Sequence, residues 1–151
     1  MKEIKQPGKF SYVFSRYLEP IDTVKPGEEV VIHTEDAFEN QITKETDLPS
    51  QILGDYLNPQ TGPIYIEGAE PGDTLVVHII DITPTRDWAV SLLKPHFGGL
   101  TTTGSTPLLH EPLPEKVWIY KLKEGMLSNN DRLSFPWRPF LGTIATAPDL
   151  E

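Results

Sequence analysis

Apolar and polar residues alternate over several short stretches of this chain, and turn-forming residues separate the stretches. A period of two is typical of a β-strand with one buried face. The alternation predicts strands at residues 10–14, 29–34, 62–68, 74–82, 116–122 and 141–147. The strongest prediction is the run at 74–82, TLVVHIIDI, because it is nearly continuous in apolar residues and rich in β-branched ones.

Helical periodicity is scarce by comparison. Leu48, Ile52 and Tyr56 recur at intervals of four, but Pro49 and Gly54 limit that stretch to one or two helical turns. Fifteen prolines and eleven glycines are spread along the chain, which indicates many short elements joined by tight turns. These patterns predict an all-β or mostly-β fold.

Two segments of the chain resemble each other. The first copy, residues 25–36 (KPGEEVVIHTED), aligns without a gap on the second copy, residues 70–81 (EPGDTLVVHIID). Each contains Pro-Gly followed by an acidic residue, as a type II turn favours, then an apolar run, a histidine, and an aspartate three residues later. A true repeat predicts two equivalent strands. The alternative is that Pro-Gly-acidic is simply a favourable way to begin a strand.

Length and composition limit the classes of protein. A chain of 151 residues fits a single domain spanning 1–151. The net charge of -9 argues against a nucleic-acid partner, which would favour a basic face. The absence of cysteine excludes disulfides, thiolate metal sites and cysteine nucleophiles. We expect a cytoplasmic protein without membrane association, because neither a signal peptide nor a membrane-spanning run is evident.

Histidine and aspartate occur twice as a His-x-x-Asp pair, His33 with Asp36 and His78 with Asp81. Imidazole and carboxylate are both metal ligands, but residues three apart on a regular strand point to opposite faces. The pattern therefore favours hydrogen-bonded structural roles for His78 and, less clearly, for His33. Asp36 follows the end of the predicted strand, where it could bind a hard cation, act as a general base, or cap a turn.

His96 is the second candidate for chemistry. It precedes Gly98 and Gly99, and glycines let the backbone approach a ligand closely and offer N–H donors to an oxyanion. The alternative is an ordinary glycine turn that carries a solvent-exposed histidine. His110 is expected to lie in a surface loop. No Gly-x-Ser-x-Gly elbow and no phosphate-binding glycine loop occurs in the sequence.

Three segments, taken together and in order, resemble the acetamidase/formamidase family. In the first, residues 33–42, the matches to Thr-x-Asp-x-Phe-x-x-Gln-Ile are Thr34, Asp36, Phe38, Gln41 and Ile42. The second, residues 58–73, contains the matching triplets Gly-Pro-Ile, Glu-Gly-Ala and Pro-Gly-Asp. The third is PFLGTIATAP at residues 139–148, and residues 96–100 add a weaker match.

The resemblance implies a β-sandwich with a jelly-roll-like N-terminal part and metal-assisted hydrolysis of small linear amides to a carboxylate and ammonia. It implies Asp36 as a metal ligand and catalytic group, His96 as a catalytic group, and a divalent cation such as zinc or calcium. The family's second half, which contains a Gly-Gly-Asn-Met-Asp segment, has no counterpart here. We therefore expect a fragment or half-enzyme that needs a complementing C-terminal chain or forms a homo-oligomer. The alternative is a non-catalytic β-sandwich that associates with a partner chain or with itself.

Overall fold

The computed structural model describes residues 1–99, 102, 113–130 and 132–148. Within this part of the chain the secondary structure consists of one helical turn, α1, and eight short strands. Their bounds are β1 Lys2–Ile4, β2 Asp22–Val24, β3 Val30–Ile32, α1 Pro49–Ile52, β4 Ile64–Ile66, β5 Trp88–Leu93, β6 Lys116–Lys123, β7 Met126–Asn129 and β8 Leu133–Pro136. The predicted mostly-β class is confirmed, and so is the limit of one or two helical turns. The predicted sandwich arrangement of the sheets stays a prediction.

The chain divides into two compact units. The first unit comprises Met1–Glu39, Tyr56–Asp81 and Leu141–Glu151, and the second comprises Asn40–Asp55 and Ile82–Phe140. This division does not test whether the units fold independently, so the single domain over 1–151 also stays a prediction. No helix among the described residues is long and apolar enough to cross a membrane.

The first unit is built on two parallel strand pairs, β1 with β3 and β2 with β4. Each pair has only three residues per strand, and backbone hydrogen bonds continue the pairing beyond the ends of the strands. The His33 N–H donates to the Ile4 carbonyl at 3.0 Å, and the Glu67 N–H donates to the Val24 carbonyl at 2.9 Å. Ile4 and Val24 are the buried apolar residues of these strands.

The second unit contains a four-stranded antiparallel sheet in the order β5-β6-β7-β8. Glu124 and Gly125 connect β6 to β7 with positive φ values of 51° and 73°, the handedness that matches the twist of a two-residue hairpin. The ring of Tyr120 on β6 meets the ring of Phe135 on β8 edge to face, with centroids 5.8 Å apart. The unit's buried apolar side chains are Ile42, Leu53, Val117 and Leu127.

Three of the predicted strands correspond to observed ones: 29–34 to β3, 62–68 to β4 and 116–122 to β6. The predictions at 10–14, 74–82 and 141–147 are wrong, because these stretches form no ladder of paired residues with the rest of the described chain. At 10–14 a local interaction competes with pairing. The Ser11 hydroxyl bonds both the N–H and the carbonyl of Val13, at 3.2 and 2.9 Å. The only pairing of that stretch with described residues is a single bridge between Ser11 and Gln60.

The two copies begin with the same turn. In each, the N–H of the fourth residue donates to the carbonyl of the first, Glu28 to Lys25 and Asp73 to Glu70, both at 3.0 Å. In each, the carboxylate of the fourth residue also accepts the N–H of the first, again at 3.0 Å. The third residue is a glycine with φ of 78° in the first copy and 99° in the second.

After the turn the two copies differ. Val30–Ile32 in the first copy forms β3 and pairs with β1. Residues 74–80 in the second copy are exposed and form no backbone hydrogen bond with the described residues. The interpretation as two equivalent strands is therefore correct for the turns and wrong for the runs that follow them.

Candidate functional site

Asp36 lies four residues beyond β3 and immediately before a turn over residues 37–40. Its Oδ1 accepts the N–H of Phe38 at 2.8 Å, and its carbonyl accepts the N–H of Glu39 at 3.1 Å. Glu39 and Asn40 both have positive φ, 51° and 57°, which is uncommon for two successive residues other than glycine. The half-buried carboxylate of Asp36 therefore caps a tightly wound turn, and that turn is a candidate site.

His33, the residue after β3, takes a structural role. Its Nε2 lies 3.3 Å from a carboxylate oxygen of Glu3 on β1, and its carbonyl accepts the Thr61 hydroxyl at 2.8 Å. Lys5 also pairs with Glu3, at 3.2 Å. The hydrogen bond from Lys5, followed by that from His33, lowers the pKa of Glu3. His33 and Glu3 thus tie β3 to β1 through side chains as well as backbone.

His78 occupies the equivalent position in the second copy, and there the prediction of a hydrogen-bonded structural histidine is wrong. Its side chain is exposed and makes no hydrogen bond within the described residues. The physical reason is that residues 74–80 have no neighbouring strand among those residues to supply a partner such as Glu3.

His96 lies in a tight turn of the second unit, closed by the Phe97 N–H donating to the Lys94 carbonyl at 3.2 Å. Its φ is +59°, and its side chain is exposed. The ring Nδ1 lies 3.0 Å from the Thr102 carbonyl, which can only accept, so Nδ1 carries the proton. In the neutral ring this leaves a lone pair on Nε2, the arrangement of a histidine that accepts a proton or binds a metal.

The two predicted site residues belong to different units, Asp36 to the first and His96 to the second. His110, predicted to lie in a surface loop, and Leu100, the last residue of the weaker family match, lie outside the described residues. Within the described ranges, no three His, Asp or Glu side chains cluster so that they could share a metal ion. Asp36 and His96 therefore do not complete a cation site with the other described residues of this chain.

A cleft of about 680 Å³ in the second unit has no signal in the sequence, and its walls include Thr43, Glu45, Asp87 and Lys121. The carboxylate of Glu45 accepts the side-chain amide of Asn129 on β7 at 3.0 Å and the Ile119 N–H on β6 at 3.5 Å. The Asn129 bond first, then the Ile119 bond, lowers the pKa of Glu45.

Glu45 therefore remains ionised while it links two strands, so its first role is structural. Asp47, two residues further along the chain, also uses its carboxylate to bind backbone N–H groups. The Asp47 carboxylate accepts the N–H groups of Thr43 and Lys44 at 2.8 and 3.1 Å. Neither Asp36 nor His96 lines this cleft.

The comparisons with known proteins identify the class. The sequence profile of the acetamidase/formamidase family matches residues 5–151, so the chain belongs to this family. It is 43% identical over 65 residues to an acetamidase of Mycolicibacterium smegmatis, an alignment that covers 41% of this chain and 16% of the relative.

Solved structures agree with that assignment. The acetamidase of Yersinia enterocolitica matches 99% of this chain with a TM-score of 0.83 and 35% identity. An acetamidase from Bacillus halodurans matches 97% with a TM-score of 0.79 and 29% identity. The chain covers only 47% and 46% of these two structures. It therefore spans about half the length of the solved relatives it matches.

Proposed function

We propose that this chain contributes to the hydrolysis of small linear amides, of the formamide or acetamide type, to a carboxylate and ammonia. The observation that carries the proposal is the family match over residues 5–151, together with the fold shared with a Yersinia enterocolitica acetamidase. Because the chain spans about half of that relative, we propose that turnover requires the remaining half of the family's polypeptide. We place the activity in the cytoplasm.

In the proposed reaction, Asp36 accepts a proton from the attacking water, whose oxygen adds to the amide carbon. Its position in a loop after a strand, half-buried beside two left-handed residues, supports this role. His96 takes up a proton from solvent on its Nε2 lone pair and gives it to the amide nitrogen, which departs as ammonia when the C–N bond breaks. Asp36 then releases its proton to solvent.

The divalent cation is also part of the proposal, with Asp36 contributing one ligand. When bound, such a cation would polarise the amide carbonyl. Because the described residues assemble no three-ligand cluster, the other ligands would come from outside them. We propose that the remaining half of the family's polypeptide supplies at least one of them.

A second candidate function is a non-catalytic module that associates with a partner chain. The observation that favours it is the exposed apolar run of the second copy, since soluble proteins seldom leave such a segment uncovered. This candidate predicts association without ammonia release.

The proposed roles can be tested in a chimera that joins this chain to the part of the Yersinia enterocolitica acetamidase that it does not cover. Asp36→Asn keeps an oxygen to accept the Phe38 N–H but removes the charge. We expect it to lower ammonia release from formamide by about 100-fold or more, the usual contribution of a general base. Asp36→Ala should have an effect at least as large.

The matched control is Asp55→Asn, which changes an exposed aspartate and should leave the rate unchanged. Normal activity of Asp36→Asn combined with a poorly folded Asp36→Ala would mean that Asp36 only caps its turn. That pair of results would contradict the catalytic role.

A further inference from the structure

The second copy exposes an apolar run on both of its faces. Val76 and Ile80 are 84% and 69% exposed, while Leu75 and Ile79 are 46% and 48% exposed. Exposure is thus higher at the even-numbered positions, with the period of two expected for an extended chain. His78 lies between Val76 and Ile80 and shares their parity, so the most exposed side of the run carries Val76, His78 and Ile80.

The backbone of the same run is also unpaired. Between Thr74 and Ile80 no N–H or carbonyl group forms a backbone hydrogen bond with another described residue. The run contains no charged residue and no proline, although charge and proline are the usual means by which natural edge strands avoid pairing. It is therefore suited to pair with an added strand, with backbone groups supplying affinity and alternate side chains supplying specificity.

The run is already fixed at its start. The turn over residues 70–73 is closed by two hydrogen bonds of 3.0 Å, and the same pair of bonds leads into the paired strand of the first copy. Residues 74–80 thus have the entry geometry of a strand without the neighbour that would make them one. A preformed entry reduces the entropy that must be lost when a partner docks.

The length of the relatives indicates what covers this run. Two solved acetamidases share the fold over 99% and 97% of this chain, yet more than half of each relative lies outside the match. That additional polypeptide accompanies this fold in the same molecule. We propose that residues 74–80 are the docking strand for the family's remaining half, which adds a β-strand along this backbone and covers Val76 and Ile80.

The docking strand goes beyond the proposed amide hydrolysis and does not depend on it. The test mixes this chain with the separately produced part of the Yersinia enterocolitica acetamidase that it does not cover, and measures hydrogen exchange and binding affinity. We expect exchange at residues 75–80 to slow by at least about tenfold in the mixture. Val76→Lys with Ile80→Lys should weaken binding by about tenfold or more.

The matched control is Val13→Lys, which places a lysine at another exposed valine of the first unit, 56% exposed. It should leave binding unchanged. Protection that falls elsewhere while residues 75–80 still exchange rapidly would overturn the proposal. So would the absence of binding, or protection of this run that arises instead from self-association of the chain.

Binding and catalysis are read separately in this design. A complex that protects residues 75–80 but releases no ammonia would support the docking strand and count against the proposed activity. Ammonia release from a complex in which residues 75–80 stay unprotected would support the proposed activity and count against the docking strand.

Discussion

The first and second copies are two similar sequences that reach different structures. Both begin with a Pro-Gly turn closed by the same two hydrogen bonds, and both continue into an apolar run with a histidine at the same position. In the first copy the run pairs with β1 and His33 contacts Glu3. In the second copy the run has no backbone partner among the described residues and His78 is exposed.

The comparison shows that strand formation depends on a neighbour more than on local sequence. The apolar run of the second copy is the longer and more strongly β-forming of the two, yet it is the one that stays unpaired within the described chain. β-Propensity largely measures packing against cross-strand neighbours, so it predicts which segment can become a strand. Whether it does so depends on the chain available to pair with it.

The largest expected effect comes from proline in the two runs. Val31→Pro, in the middle of β3, removes a ladder N–H and should lower the free energy of unfolding by about 1–3 kcal/mol. Val76→Pro, at the equivalent position of the second copy, should change it by less than about 0.5 kcal/mol because no ladder is lost. Urea unfolding of both variants measures the difference.

Addition of the uncovered part of the Yersinia enterocolitica acetamidase should sharpen this contrast. Val76→Pro should then weaken binding, because the proposed docking strand would lose a backbone donor. Equal destabilisation by the two prolines in the isolated chain would mean that the second run is already paired.

A smaller effect is expected from the ion pairs of Glu3, which have no equivalent at His78. Lys5 first, and then His33, lower the pKa of Glu3 below its ordinary value of 4.5. The stabilisation is therefore complete above pH 4.5 and is lost as the pH falls through the lowered pKa. Glu3→Gln should make the urea midpoint less sensitive to acid in this range.

The control for this prediction is Glu67→Gln, which changes an exposed glutamate in a turn of the same unit. Its acid profile should follow that of the unaltered chain. Parallel profiles for Glu3→Gln and the unaltered chain would show that the carboxylate of Glu3 adds nothing to the pairing of β1 with β3.

Much of the fold could be predicted where local chemistry decides the structure. The Pro-Gly turns, the single helical turn limited by Pro49 and Gly54, and the alternating strand β6 all follow from the sequence. The strands β1 and β2 were missed because their sequences, KEI and DTV, are mostly polar, whereas β3 (VVI) and β4 (IYI) consist of apolar and aromatic residues. Strands β5, β7 and β8 were also missed, since their alternation is weak and antiparallel pairing with neighbouring strands is what holds them in the sheet.

The candidate site was predictable only in part. The position of Asp36 after a strand and the glycines beside His96 could be read directly, and the structure adds the turn cap and the Nδ1 bond to Thr102. Glu45 could not be found in this way, because its partners Ile119 and Asn129 lie more than 70 residues away in the sequence. Only the folded chain brings them together.

The most direct test of the account is ammonia release from formamide and acetamide by three samples. These are the metal-supplemented chain, the uncovered part of the Yersinia enterocolitica acetamidase, and an equimolar mixture of the two. The account predicts turnover in the mixture alone, and loss of that turnover on chelation. Turnover by the isolated chain at the rate of the mixture would contradict it, because a complete site would then lie within these 151 residues.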